Sequence, residues 1–406
     1  MSDQIKRLNV ATPQGSAGSL WHESQFVFNY MNEATRSCEV SLTMPLRAQS
    51  YSSNALLPVF AMNRPEGALL TAISQRLAKH IRLDDMRLLS IIGHDQIGRL
   101  TLFASDEPKK KQAHVGLQQL LKEQASKQLF DFLLDTYFDS GISGVQPKVM
   151  IPDAENVPVD RMALLHSDLI VKSGGEELPF LSQNEFVCMD AARRAGIDVP
   201  EFWLSDDGSL FVMRRFDLKD GMRHGFEDMA VLAGKLPDAQ GRYKYEGKYE
   251  GIAAIIQAFC GTQAQQETRR FFKYFALSCM VRNGDAHLKN FGLTYTHPND
   301  PQSIRLAPLY DVVTTAAYDH ENLRTGQLMA DRTLALKLNK SNSYPTRKQL
   351  IAFGATCHEP HPEQVIERIA TAMTEALNAN RQRFSTDFFQ RLRQEWDDGR
   401  RAAAGS

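Results

Sequence analysis

Apolar and β-branched residues between positions 140 and 216 follow a pattern that predicts a sheet with one helix. Runs of such residues predict strands at Leu164–Lys172 and Ser209–Phe216. The segment Ser140–Ile151 is a glycine-bearing turn that leads into a further β-branched stretch. Between the two strands, apolar residues three and four positions apart predict a helix over Leu181–Gly196, with the final glycine as its C-terminal cap.

The second half of the chain carries the apolar spacing of helices. Residues at positions i, i+3 and i+4 predict helices over Gly251–Cys260, Glu267–Arg282 and Glu363–Arg381. The short β-like segments Phe291–Tyr295 and Ile304–Ala307 predict a hairpin among these helices. A sheet-rich region followed by a helical region predicts an α+β protein with two lobes.

The first hundred residues predict a mixture of short strands and helices. Trp21–Tyr30 is aromatic and β-like, whereas Thr71–Ile81 has helical spacing. Ile91–Phe103 predicts a turn followed by a strand, and the polar segment Asp106–Gln112 predicts a linker. The run Lys109–Lys111 is more typical of a solvated loop than of a nucleic-acid patch.

Composition narrows the functional class. The 406 residues hold 47 Lys and Arg against 48 Asp and Glu, so nucleic-acid contact requires a local patch or a partner. The longest nearly apolar stretch, Gly251–Cys260, is too short to span a bilayer, and the N-terminus has no apolar signal region. Five scattered cysteines favour neither a disulfide framework nor a zinc site. We therefore expect a cytoplasmic protein without a membrane segment.

The densest polar cluster lies between a predicted helix and a predicted strand, in the segment Val281–Leu293. It contains Asp285, His287, Lys289 and Asn290, whose burial costs free energy unless each polar group is satisfied. The spacing from Asp285 to Asn290 is that of the catalytic loop of protein kinases, where the Asp accepts the substrate hydroxyl proton and the Asn holds Mg²⁺. The alternative is a hydrogen-bonded loop that only caps the helix.

A single carboxylate, Asp311, follows the second strand of the predicted hairpin. Protein kinases place a metal-binding Asp at this point, although here Val-Val follows instead of Phe-Gly. An amide and a carboxylate with phosphate oxygens form the kind of site that Mg²⁺ prefers. Asn290 and Asp311 are therefore candidate Mg²⁺ ligands, and the alternative for Asp311 is an ordinary turn residue.

Two further features are typical of nucleotide binding, and each has a structural alternative. Lys172 ends a predicted strand and could bind phosphate, paired with Glu185 of the next helix, or lie at an edge of the sheet. The segment Gly141–Lys148 could hold phosphates through its backbone amides, or form a plain hairpin turn.

The order of these segments resembles the HipA-type serine/threonine kinases of bacterial toxin–antitoxin modules. The resemblance extends over most of the chain, and its two most specific motifs are Asn283–Phe291 and Leu306–Asp311. The other matching motifs are Ile92–Gly98, Ser143–Lys148, Asn184–Met189, Arg215–Asp217 and Glu227–Met229.

The resemblance implies a role for each matching residue. Asp285 would be the catalytic base with His287 beside it, and Asn290 and Asp311 would hold Mg²⁺. Arg214 to Phe216 would form the hinge whose backbone meets adenine. The implied ATP-binding residues are Gly144, Val145, Gln146, Lys148, Lys172, Glu185, Arg214 and Phe216. Related kinases phosphorylate a serine in the loop before Gly144, and Ser143 is favoured over Ser140 here.

The resemblance also implies fold, partners and reaction. The fold would be a two-lobed protein-kinase-like fold, with residues 113–216 as the β-rich N-lobe and residues 217–406 as the helical C-lobe. Residues 1–112 would form an additional N-terminal α/β subdomain. The chain would use ATP and Mg²⁺ to phosphorylate a protein serine or threonine, with an aminoacyl-tRNA synthetase as a candidate target, and so arrest growth. A HipB-like helix-turn-helix antitoxin would mediate any DNA contact. The alternatives are a small-molecule or lipid kinase on a related fold, and a non-catalytic repressor partner.

Overall fold

The computed structural model describes most of the chain. The described residues are 5–66, 70–71, 73–74, 83–104, 116–122, 133, 142, 146, 148–151, 168–174, 178–238, 240–321 and 328–404. They belong to two compact units. The first unit comprises residues 1–175, 202–243 and 294–304, and the second comprises residues 176–201, 244–293 and 305–406.

The N-terminal part of the first unit is a five-stranded antiparallel sheet. Its strands in spatial order are Tyr51–Ser53, Phe26–Tyr30, Gly15–His22, Arg7–Thr12 and Thr101–Phe103. Alternate residues of these strands are buried, as expected for a sheet with one covered face. The predicted β-character of residues 21–30 and the strand that ends at residue 103 are confirmed. Short helices in this part are Pro58–Ala61, Asp85–Ile92 and Leu117–Lys122.

The first unit also contains a four-stranded antiparallel sheet. Its strands in spatial order are Lys148–Ile151, Leu169–Ser173, Leu210–Arg214 and Phe202–Leu204. Its apolar side chains form one core with residues of the helix Leu117–Lys122. Both strands predicted here are confirmed, although residues 164–167 lie outside the described part of the chain. The predicted linker at residues 106–112 also lies outside it, as does most of the predicted helix at residues 71–81.

Two sequence motifs of the first unit meet in a buried ionic network. The Arg215 guanidinium donates to both carboxylate oxygens of Asp217, at 3.0 and 2.7 Å, and to Asp95 at 3.1 Å. Asp217 also accepts a hydrogen bond from the backbone N–H of Gly98 at 2.7 Å. The segment around residues 92–98 is thereby fixed beside the strand Leu210–Arg214.

The chain of the first unit then makes short strands and one helical turn. These are Leu218–Lys219, Met222–Arg223, Gly225–Asp228 and Met229–Leu232. Glu227 is fully buried and accepts hydrogen bonds from Ser41 Oγ and Tyr295 Oη, each at 2.6 Å. The buried carboxylate is therefore satisfied, although burial raises its pKa.

The second unit is mainly helical. Its helices are Leu181–Arg194, Tyr249–Phe259, Ala264–Met280, Arg347–Thr356, Pro362–Asn380 and Thr386–Ala404. The four helices predicted from apolar spacing are confirmed to within a few residues, and Gly196 has the left-handed φ of +72° that ends the first of them. Within the described ranges, no helix combines the length and apolarity required to cross a membrane.

Short strands complete the fold. They are Gly292–Tyr295, Arg305–Leu306, Asp319–Glu321, Leu328–Ala330, Thr333–Leu338 and Ser341–Ser343. The first two are neighbours in one sheet, and the N–H of Ala307 donates to Gly292 O at 2.9 Å, which confirms the predicted hairpin. Single 3₁₀ turns occur at Arg36–Cys38, Arg242–Tyr245, Gly261–Gln263, Leu288–Asn290, Pro301–Ser303, Thr315–Ala317 and Arg381–Arg383.

Candidate active site

The polar loop of the second unit begins where the helix Ala264–Met280 ends. Arg282 has a left-handed φ of +58°, which turns the chain away from the helix axis. The N–H of Gly284 donates to Thr315 Oγ1 at 2.6 Å. A Cβ on Gly284 would lie 2.8 Å from Thr333 O, so this close approach requires glycine.

Asn290 and Asp311 come together as their sequence positions predict. Asn290 Nδ2 donates to Asp311 Oδ2 at 3.0 Å, and Asn290 Oδ1 accepts from the N–H of His287 at 3.1 Å. Asp311 has a left-handed φ of +59°, and its neighbour Tyr310 donates through its hydroxyl to Lys289 O at 2.8 Å. The contact places the Asn290 amide beside the Asp311 carboxylate. Side chains of these two kinds fit Mg²⁺, which takes few protein oxygens and completes its shell with phosphate and water.

Asp285 is solvent-exposed, as a proton acceptor for an external substrate must be. Its backbone N–H donates to Asn283 Oδ1 at 3.0 Å, which fixes the loop at this residue. Its carboxylate Oδ1 accepts a hydrogen bond from Tyr245 Oη at 2.8 Å. Tyr245 has no spacing signal in the sequence, because it lies forty residues before Asp285 on a 3₁₀ turn.

His287 is buried beside the exposed carboxylate. Its ring packs edge-to-face on Tyr245, with the ring centroids 5.1 Å apart. Burial, together with the positive charges of Lys244 and Lys289, lowers the pKa of His287 to about 3, against an opposing effect of Asp311. His287 is therefore neutral at physiological pH. Its role in catalysis stays a prediction.

Two predicted phosphate ligands, Lys148 and Lys172, lie directly opposite each other in the four-stranded sheet of the first unit. Both are almost fully buried, with 5% and 2% of their surfaces exposed. Lys172 Nζ also lies 5.7 Å from the ring centroid of Phe211. Like charges placed opposite each other are destabilising, and a bound phosphate group would offset that repulsion.

Three more predicted ATP-binding residues of the first unit, Arg214, Phe216 and Gln146, are described. Arg214 Nη1 is 4.0 Å from Asp168 Oδ2, and its guanidinium lies 5.5 Å from the Trp203 ring. Phe216 packs edge-to-face on Phe226, with the ring centroids 5.2 Å apart. The side-chain nitrogen of Gln146 is buried and has no hydrogen-bond partner among the described residues.

The last predicted ATP-binding residues are Glu185 and the glycine loop. Glu185 is fully buried on the helix Leu181–Arg194 of the second unit, whereas Lys172 belongs to the first unit. Their pairing stays a prediction. Four residues of the predicted glycine loop lie outside the described residues: Ser140, Ser143, Gly144 and Val145.

Comparison with solved structures establishes the fold. The chain aligns with HipA of Shewanella oneidensis MR-1, solved with HipB and operator DNA, at a TM-score of 0.68 and 18% identity. The alignment covers 98% of this chain and 97% of that one. The α+β fold class predicted from the sequence is therefore confirmed.

Sequence comparisons give the family. Two relatives carry the name of a kinase. The protein Y4dM of Sinorhizobium fredii is 32% identical over 37% of this chain, and a protein of Haemophilus influenzae is 30% identical over 44% of it. These alignments span 38% and 53% of the two relatives, so the chain matches about half of their length or less. The HipA N-terminal domain matches residues 8–103 and the HipA-like C-terminal domain matches residues 140–380. The C-terminal domain alone spans more than half of the sequence, and the chain therefore belongs to the HipA family.

Proposed function

We propose that this chain is a serine/threonine protein kinase that uses ATP and Mg²⁺, and that it is the toxin of a toxin–antitoxin module. The observation that supports this most directly is the 3.0 Å hydrogen bond from Asn290 Nδ2 to Asp311 Oδ2. Asn290 lies in the same polar loop as the exposed Asp285. Protein kinases use this combination of one proton acceptor and two metal-binding side chains. The kinase names of the relatives support the same activity.

In this proposal, each side chain has a defined task. The substrate hydroxyl oxygen bonds to the γ-phosphorus of ATP, the bond from that phosphorus to the β–γ bridging oxygen breaks, and the hydroxyl proton passes to Asp285. Lys148 and Lys172 bind phosphate oxygens, and Arg214 to Phe216 supply the hinge for adenine. Asn290 and Asp311 would hold Mg²⁺, which supplies charge neutralisation when bound.

The proposal extends to partners and regulation. A HipB-like helix-turn-helix antitoxin would bind the chain and mediate contact with DNA, supported by the solved complex of the Shewanella protein with HipB and operator DNA. The target would be a cytoplasmic protein, with an aminoacyl-tRNA synthetase as a candidate, and its phosphorylation would arrest growth. Phosphorylation of Ser143, or of Ser140, would silence the kinase, since a phosphoserine would compete with ATP phosphates for one basic site.

Substitution of the proton acceptor tests the proposed chemistry. Asp285→Asn keeps the shape of the side chain and removes its basicity, so transfer from ATP to dephosphorylated casein should fall by about 10²–10⁴-fold. Binding of MgATP and the melting temperature should stay close to those of the wild type. Asp387→Asn, the same change at an exposed position of the helix Thr386–Ala404, is the matched control and should leave transfer unchanged.

Three results would contradict the proposed function, and two of them would favour one of its alternatives. Retention of more than about a tenth of wild-type transfer by Asp285→Asn would remove Asp285 from the role of base. Transfer by the wild type to metabolites or lipids but to no protein would favour the small-molecule or lipid kinase. No binding of ATP with or without Mg²⁺ would favour the non-catalytic repressor partner.

A further inference from the structure

A short segment, Lys244–Tyr249, supports the polar loop of the second unit along its length. Tyr249 Oη donates to the carbonyl oxygen of Ala286 at 3.0 Å, and this bond is buried. A Cβ on Gly247 would lie 3.2 Å from a methyl group of Leu288, so the backbone approaches the loop closely there. Tyr245, near the start of the segment, contacts the loop at Asp285. The segment therefore contacts the loop at three points.

Tyr245 is held in place from two directions. Its ring packs edge-to-face on the buried His287, at an interplanar angle of 81°. Its hydroxyl donates to Asp285 Oδ1 at 2.8 Å, a normal length for a hydrogen bond to a carboxylate. The residue before it, Lys244, is only 6% exposed, so the backbone at this point is anchored in the protein interior. This packing is typical of a side chain whose ring has one fixed position.

The hydrogen bond from Tyr245 goes to the Asp285 carboxylate, which is the group proposed to accept the substrate proton. A carboxylate has two oxygens, so one can accept the phenol proton while the other faces an incoming hydroxyl. A hydrogen bond from a fixed phenol favours one rotamer of the carboxylate, and a favoured rotamer lowers the entropic cost of orienting the base for the reaction.

We propose that Tyr245 is a positioning residue for phosphoryl transfer, which holds the Asp285 carboxylate in the orientation that accepts the substrate proton. This inference rests on the proposed function, because it requires that Asp285 act as the base. The competing interpretation is that the Tyr245 hydroxyl occupies the place of the substrate hydroxyl and has to be displaced. That interpretation requires a mobile ring, whereas the packing on His287 and the buried Lys244 favour a fixed one.

Tyr245→Phe separates these interpretations, because it removes the hydroxyl and keeps the ring. Tyr245 is 43% exposed, so the variant should fold normally. With dephosphorylated casein as the acceptor, we expect kcat to fall about ten-fold while KM for ATP stays within about two-fold. Tyr51→Phe is the matched control, since it removes a hydroxyl that donates to Pro45 O at 2.6 Å in an exposed hydrogen bond outside the polar loop. Its kcat should equal that of the wild type.

The double variant Tyr245→Phe/Asp285→Asn tests whether Tyr245 acts through Asp285. If it does, the double variant should be no slower than Asp285→Asn alone. A further ten-fold loss in the double variant would overturn the inference, as would a kcat for Tyr245→Phe equal to or above that of the wild type. A wild-type chain that transfers no phosphate from MgATP would instead overturn the proposed function, and the positioning role with it.

Discussion

At the scale of single residues, the buried charges of Arg215, Asp217 and Asp95 in the first unit compensate one another. Arg215 is 2% exposed and Asp217 is fully buried, yet each polar atom of this pair finds a partner at hydrogen-bonding distance. Burial of an ion pair is costly, and removal of one partner is costlier because it leaves an uncompensated charge. The network therefore makes the contact between residues 92–98 and the four-stranded sheet specific.

Asp217→Asn should destabilise the protein strongly. It replaces the buried carboxylate that pairs with Arg215 by a neutral amide, and we expect a loss of about 3–5 kcal/mol in the free energy of unfolding. Urea unfolding followed by tryptophan fluorescence measures this loss. Glu23→Gln is the matched control, because Glu23 pairs with Lys6 at 3.7 Å with most of both side chains exposed, and it should cost less than about 1 kcal/mol. A loss below 1 kcal/mol for Asp217→Asn would show that the network is not stabilising.

The sequence predicts some residues of the candidate site better than others, for physical reasons. Asp285, Asn290 and Asp311 could be proposed from the sequence because kinase chemistry fixes their spacing around a helix end and a hairpin. Tyr245 could not, because its contact with Asp285 depends on the path of a 3₁₀ turn through space. The opposition of Lys148 and Lys172 depends on strand register, which apolar patterns alone do not determine across a long intervening segment.

At the scale of elements, apolar spacing predicted the helices that have one covered face and a clear period. The C-terminal helix Thr386–Ala404 escaped prediction, although Phe388, Leu392 and Trp396 lie on one buried face. Arginine and aspartate residues interleave with them and lower the mean hydropathy of the segment. Its position depends on tertiary packing, since Gly399 lies directly against the end of the helix Ala264–Met280.

Gly399→Ala should therefore separate these two helices. A Cβ at this position would lie 1.9 Å from Met280 O, a backbone atom that cannot move aside without its helix. We expect a loss of about 1–3 kcal/mol in the free energy of unfolding, measured by urea denaturation.

The same substitution at Gly251 provides the control for this prediction. Gly251 lies in the helix Tyr249–Phe259, where an added Cβ would meet only Lys248 Cγ at 3.5 Å. Since alanine favours helix more than glycine does, Gly251→Ala should leave stability unchanged or raise it by up to about 1 kcal/mol. Equal effects of the two substitutions would contradict the close approach of the helices at Gly399.

At the scale of the whole molecule, the balance of basic and acidic residues limits how tightly the chain can bind DNA without a partner protein. The 47 basic and 48 acidic residues nearly cancel, and the longest basic run in the sequence is Lys109–Lys111. Several arginines of the C-terminal helix are already paired, since Arg400 and Arg401 bind Asp397 and Asp398 of the same helix. Paired cations contribute little to phosphate binding, because the existing partner must be displaced.

The chain alone should consequently bind DNA weakly and without sequence preference. Fluorescence anisotropy with a labelled duplex of the cognate operator at 150 mM salt should give a Kd no tighter than about 10⁻⁶ M, and a scrambled duplex should give the same value. Addition of a HipB-like antitoxin should make binding tight and specific to the operator, because base contacts carry specificity and the antitoxin would supply them. Tight binding of the operator over the scrambled duplex by the chain alone would contradict this division of roles and would assign base recognition to the chain itself.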